Sequence, residues 1–134
     1  MAFWLMKSEP ASYSWDDLVR DGGTEWDGVR NNAARLHLKA MQAGDQAFFY
    51  HSMSDKAVVG IMRVVRGAQP DPKAPDWVSV RVEPVEPLRP VTLAQIKAEP
   101  SLAAMELLRQ SRLSVAPVRE DEWLKILELA QSPA

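Results

Sequence analysis

Residues 77–85 constrain the fold more than any other stretch of the chain. Val78, Val80 and Val82 alternate with Ser79, Arg81 and Glu83, and successive side chains of an extended chain point to opposite faces. Such a strand belongs to a sheet with one apolar and one wet face, which indicates an antiparallel or mixed sheet. Residues 2–7, 46–52 and 57–66 read as further strands, with residues 53–56 turning between the last two. Residues 67–76 hold three prolines and no apolar period, so they read as a loop. Pro84, Pro87 and Pro90 mark the exit from the alternating strand.

Helical signals fill the spaces between. Ser14 with Asp17 forms a capping box, and Gly22-Gly23 ends the helix it starts. Ala34, Leu38 and Met41 fall at i, i+4 and i+7, which predicts a helix over 32–43, capped by Asn31 or Asn32 and closed by Gly44. Thr92 with Gln95 starts a short helix that Pro100 limits, and Ser101 caps another with Leu102, Met105 and Leu108 inward. Residues 112–115 read as an extended return to the sheet. Trp123, Ile126, Leu127 and Ala130 give residues 119–131 the clearest helical period. Four or five strands with short helices and no βαβ rhythm define an α+β class. The expected architecture is a small curved sheet or open barrel, one domain over residues 1–134.

Composition removes several chemistries. There is no cysteine, hence no disulfide framework, thiolate nucleophile or Cys-type zinc site. Two histidines, His37 and His51, make a histidine-rich metal site unexpected. The formal net charge of −2 supplies no global attraction for phosphates. The apolar opening Phe3-Trp4-Leu5-Met6 is too short for a secretion signal or a membrane span. The expectation is a cytoplasmic, monomeric protein with no cofactor, no metal and no membrane partner.

Three clusters carry possible chemistry. Trp26-Asp27-Gly28-Val29-Arg30-Asn31 joins a flat aromatic face to a permissive glycine, a cation and an amide able to read a base edge. Taken alone, these six residues favour a structural loop whose tryptophan plugs a core and whose arginine is solvated. Lys7, Ser8 and Glu9 stand where a strand opens into a loop ahead of Pro10, and Tyr50, His51 and Ser52 end another strand. Ser52 and His51 do not form a nucleophilic relay, because neighbours on a strand face opposite ways. Asp16 and Asp17 fit the first turn of a helix better than acid–base catalysis.

Beyond these clusters, ordered motifs span the chain from residue 3 to about 129. They include Phe3-Trp4-Leu5-Met6-Lys7-Ser8-Glu9-Pro10, Tyr13-Ser14-Trp15-Asp16-Asp17-Leu18, the stretch 26–31, Gly44-Asp45 and Phe49-Tyr50-His51-Ser52. Val59-Gly60-Ile61, Pro90-Val91-Thr92-Leu93, Arg112-Leu113-Ser114-Val115 and Pro117-Val118 with Glu122-Trp123 complete the set. The chain thereby resembles the EVE domains of the PUA-like superfamily, the thymocyte nuclear protein group among them, with more distant kinship to YTH domains. The resemblance implies a PUA-like pseudobarrel that binds, without catalysis, a modified base such as 5-methylcytosine in DNA or RNA.

Carried onto this sequence, the resemblance puts Lys7, Ser8 and Glu9 in the pocket wall, Trp26 on the base face and Asn31 at its edge. Tyr50, His51 and Ser52 would close the far wall, and Arg30, Arg112 and Ser114 would make phosphate or secondary contacts. Relatives usually continue past Arg30-Asn31 with a tyrosine and a glutamine where this chain has Asn32-Ala33, a departure that bears on base preference. Two other readings are a metal-independent ribonuclease of the ASCH type, using Lys7, Arg30 and Tyr50 or His51, and a protein-interaction module presenting residues 67–76.

Overall fold

A computed structural model describes residues 1–53 and 55–131. Six strands, β1 (Phe3–Ser8), β2 (Thr24–Trp26), β3 (Gln46–His51), β4 (Ala57–Asp71), β5 (Ala74–Thr92) and β6 (Val115–Val118), form one sheet in the order β2-β5-β4-β3-β1-β6. All pairings are antiparallel except β1 with β3, which run parallel with Phe3 opposite Gln46 and Ser8 opposite His51. The expected α+β, PUA-like class is the observed one, as a mixed sheet that is not closed into a barrel. Five short helices accompany it: α1 (Trp15–Asp21), α2 (Asn32–Ala40), α3 (Leu93–Ala98), α4 (Glu106–Arg109) and α5 (Glu120–Gln131).

The two faces of β1 and β3 build separate cores, as a two-residue period requires. Trp4, Met6 and Phe49 pack with α1 and α2 through Leu18, Ala34 and Leu38 on one side. Leu5 and Phe48 pack with α3 and α5 through Ile96, Trp123 and Ile126 on the other. Trp123 stacks on Phe48 with ring centroids 3.8 Å apart and on Phe3 at 4.6 Å. Of the wet face expected over residues 77–85, Arg81 and Glu83 stay half-exposed beside β2 while Ser79 is covered. There Glu25 accepts from Arg66 at 2.8 and 2.9 Å and from Ser79 Oγ at 3.2 Å, which buries Ser79 beneath an ionic cover.

The loop expected over 67–76 is instead the tip of a long hairpin. β4 continues to Asp71 and β5 starts at Ala74, leaving only Pro72 and Lys73 as the turn. Prolines are tolerated because the β4–β5 register slips five times, including between Pro70 and Asp71, and bulges leave backbone groups out of the ladder. Pro84, Pro87 and Pro90 lie beyond the three residues of β5 paired with β2, so β4 is their one neighbour and a missing N–H costs little. Ser54, in the turn expected between β3 and β4, lies outside the described residues.

Local signals held where they were strongest. The Ser14–Asp17 and Thr92–Gln95 capping boxes both form. Asn31, not Asn32, caps α2, which stops at Ala40. Glu99 rather than Ser101 caps the next segment, a 3-10 turn at Pro100–Leu102 followed by the single-turn α4.

Gly60 marks a tight contact in this frame. A Cβ there would lie 2.5 Å from the indole of Trp15, a buried ring set edge-on to Phe49 at 5.7 Å. Overpacking of this kind costs about 1–3 kcal/mol. Gly60→Ala is therefore expected to lower urea stability by that amount, and an unchanged midpoint would show that Trp15 moves freely.

Candidate functional site

A cavity of about 460 Å³ opens beside the ends of β1 and β2, within the size range of small-ligand sites. Lys7, Ser8, Glu9, Ser12 and Tyr13 line one side; residues 24–28 line the other. The first wall is set by the loop that Pro10 forces. Ser12 N–H and Tyr13 N–H both donate to Glu9 O at 2.9 Å, and Ser8 Oγ donates to Tyr13 O at 2.6 Å. The side chains of Glu9 and Asp27 are exposed and make no hydrogen bond or ion pair among the described residues, so the cavity has two spare carboxylate acceptors.

The second wall is held from an unexpected direction. Asp71, at the hairpin tip, has a side chain with 0% exposure. Its Oδ2 accepts from Gly28 N–H and from Arg30 Nη1, both at 3.1 Å, while Oδ1 accepts from Lys73 N–H at 2.9 Å. The Lys73 and Gly28 amides, with Arg30, hold the Asp71 carboxyl below its ordinary pKa. Gly28 adopts φ +74°, a left-handed conformation that glycine enters without penalty. Asp71 thus fixes the turn that aims Asp27 and Trp26. Neither this turn nor its reach to Gly28 was visible in a stretch that reads as a loop.

Trp26 itself is 8% exposed. Its ring sits edge-on to Phe49 with centroids 5.5 Å apart, so it is shared between the core and the cavity lining.

A model of the EVE domain matches residues 2–129. The chain belongs to the EVE domain family. Mouse thymocyte nuclear protein 1 is 34% identical over 167 aligned positions that take in 97% of this chain and 74% of that protein. A Rhodopseudomonas palustris protein solved by NMR is 48% identical, with a TM-score of 0.92 over 97% of this chain and 93% of that one. The structure of human THYN1 in complex with 5-methylcytosine-containing DNA is 32% identical, with a TM-score of 0.94 and full coverage of both chains. An ASCH protein of Zymomonas mobilis is 13% identical with a TM-score of 0.60 over 96% of this chain and 95% of that one, a likeness of fold alone.

In this EVE domain the residues singled out in the sequence separate into two groups. Lys7, Ser8, Glu9 and Trp26 share the cavity. Lys7 Nζ also donates to Ser111 O at 2.8 Å and lies 5.9 Å from the Tyr50 ring centroid, and burial lowers its pKa from 10.5. Asn31 is placed elsewhere: its Oδ1 accepts from Ala34 N–H at 2.9 Å, and it lines a second depression with Ala33. Of the Asn32-Ala33 departure, Ala33 lines that depression, and neither residue lines the Trp26 cavity.

Tyr50, His51 and Ser52 stand behind the first wall. Tyr50 packs into the α3–α5 core, where burial raises its phenol pKa. His51 Nε2 accepts from Trp15 N–H at 3.1 Å and Nδ1 meets Asp55 Oδ2 at 3.0 Å. Both ring nitrogens are thereby engaged, Nε2 at the start of α1 and Nδ1 between β3 and β4. Ser52 N–H donates to Ser8 O at 2.9 Å, and Ser114 O accepts from Lys7 N–H at 2.9 Å. Arg30 lies 5.7 Å from the Trp77 ring centroid, and Arg112 lines the second depression. Among the described residues no group of three or more metal-ligating side chains occurs, and no helix is long and apolar enough to cross a membrane.

Proposed function

We propose that this EVE domain binds a modified cytosine, of the 5-methylcytosine class, within nucleic acid and without catalysing a reaction on it. The observation that carries the reading is the chemistry of the Trp26 cavity. It combines part of a tryptophan ring with two unpartnered carboxylates, Glu9 and Asp27, at its rim. Cytosine presents an N4 amino donor, which a carboxylate accepts. An indole offers a surface for the base, with stacking contributing about 1–3 kcal/mol. That gain is comparable to the few kcal/mol needed to unstack a base. The complex of human THYN1 with 5-methylcytosine-containing DNA supports the same ligand class.

The test is a titration of single-stranded DNA and RNA oligonucleotides, each with one cytosine, 5-methylcytosine or thymine at the same position. The expected order places 5-methylcytosine tightest and thymine, which lacks the amino donor, weakest. The double variant Glu9→Gln, Asp27→Asn is expected to lose about five- to 150-fold of the cytosine-type affinity, the range for one good base-edge pair. Equal affinity for all three bases would sink the reading.

A further inference from the structure

Resting on that reading, we propose that Asp71 is a positioning residue of the base site. From the tip of the β4–β5 hairpin it holds the Asp27 carboxylate where cytosine-type bases are told from thymine. The cavity wall at residues 24–28 is carried by that hairpin. Trp26 pairs with Val80 of β5. Glu25 is tied to β4 through Arg66 at 2.8 and 2.9 Å and to β5 through Ser79 Oγ at 3.2 Å. Asp27 N–H donates to Glu25 O at 3.1 Å. On the other side Asp71 Oδ2 accepts from Gly28 N–H and Arg30 Nη1, both at 3.1 Å. Asp27 thus lies between two anchors on one hairpin, its own carboxylate unpartnered among the described residues.

Two features make the tie specific to a carboxylate at this place. Gly28 is left-handed at φ +74°, and glycine has the widest choice of backbone angles, so the Asp71 bond selects the turn. Both Asp71 oxygens face donors, Oδ2 toward Gly28 and Arg30 and Oδ1 toward Lys73 N–H at 2.9 Å. An asparagine would set its NH2 group against one of them. The Asp71 side chain has 0% exposure, which leaves water little room to repair such a mismatch.

The hairpin tip that presents Asp71 is itself docked. The Trp77 ring centroid lies 5.0 Å from the Arg35 guanidinium of α2 and 5.7 Å from that of Arg30, within the range of cation–π attraction. Arg35 Nη1 donates to Asp76 O at 3.1 Å. Arg30 therefore serves the tip twice, through Asp71 and through Trp77. A hydrogen bond to a base edge weakens steeply outside a narrow range of distance and angle. Contact between an indole and a base is more tolerant, because every base has a π-face. Loosening the tip should cost discrimination between bases before it costs overall affinity.

The experiment measures the ratio of 5-methylcytosine to thymine affinity on otherwise identical single-stranded oligonucleotides, so that backbone contacts cancel. The proteins are wild type, Asp27→Asn, Asp71→Ala, the double variant of these two, and Arg30→Gln, each shown folded by a melt. Asp71→Ala is expected to lower the ratio at least about fivefold, the low end for one base-edge pair. Adding Asp27→Asn to Asp71→Ala should lower it by less than about twofold more, since the two act through one carboxylate. Arg30→Gln, at a side chain 39% exposed, keeps the Gly28 bond and should fall between wild type and Asp71→Ala. Exchange of the Gly28 amide, read by NMR without ligand, should be at least about tenfold faster in Asp71→Ala, the loss of one hydrogen bond to a charged group. If Asp71→Ala fails to fold, Arg30→Gln crossed with Asp27→Asn carries the same comparison. Independent, multiplying effects of Asp27→Asn and Asp71→Ala, or unchanged Gly28 exchange, overturn the positioning role and leave the base reading standing. A wild-type protein without preference for 5-methylcytosine overturns the base reading itself, and Gly28 exchange then still reports whether Asp71 holds the turn.

Discussion

Asp45→Ala is expected to lower the free energy of unfolding by about 1–3 kcal/mol, the cost of leaving a buried hydrogen-bond donor without its acceptor. Asp45 is 5% exposed and stands where the chain turns from α2 into β3. Its Oδ2 accepts from the Trp4 indole N–H and from Gln42 N–H, and its Oδ1 from Ala2 N–H, each at 3.0 Å. Alanine would strand the buried indole donor, at about 1–3 kcal/mol, and free the β1 entry and the end of α2. Asp45→Asn keeps the shape and one acceptor, so it should lose less. Urea unfolding followed by tryptophan fluorescence measures both, and a loss below about 1 kcal/mol for the alanine variant would show that water replaces the network.

The same carboxylate sets a pH dependence with a definite sign. Burial pushes its pKa up, but hydrogen bonds from Gln42, Trp4 and Ala2, with the nearby N-terminus, outweigh burial and hold it below 3.8. A depressed folded pKa means that the unfolded chain binds the proton more readily. The stabilisation is complete well above 3.8 and is lost as pH falls through the lower folded value. Asp45→Asn should flatten the stability curve in that acidic window.

What the chain discloses by itself follows the range of the interaction. The Ser14–Asp17 and Thr92–Gln95 boxes act within four residues and were legible because both partners are adjacent in sequence. The β4–β5 hairpin was misjudged because three prolines and a glycine over 67–76 oppose strand locally, whereas pairing along the whole length and repeated bulges decide it. β2 is three residues long, too short for any period to show. At the site, Lys7-Ser8-Glu9 and Trp26 were legible as motifs. Asp71, 43 residues from the Gly28 it holds, was hidden in what looked like an unstructured loop. Asn31 offered two uses of one side chain, helix cap and base edge, and only the geometry of α2 shows the first.

Trp26→Ala should produce two losses of different origin, one of core packing and one of contact with the base. Trp26 belongs to the same core as Phe49, Val80 and Val82, so truncation is expected to cost about 3–5 kcal/mol of stability. Loss of the stacking surface should weaken binding of a 5-methylcytosine oligonucleotide by a further five- to 150-fold, or about 1–3 kcal/mol. Trp26→Phe keeps an aromatic ring and much of the core volume, so it should recover more stability than affinity if the wider indole meets the base. Binding must therefore be measured at a temperature where a melt shows each variant folded. If folded Trp26→Ala binds the modified oligonucleotide as well as wild type, the 8% of Trp26 that reaches the cavity contributes only to packing. The unpartnered Glu9 and Asp27 would then have to supply selectivity alone, which the amide double variant measures independently. If affinity falls while the preference for 5-methylcytosine over thymine persists, the indole supplies surface and the carboxylates supply discrimination. That division is the one the geometry predicts, since the carboxylates have no other partner and the ring is shared with Phe49.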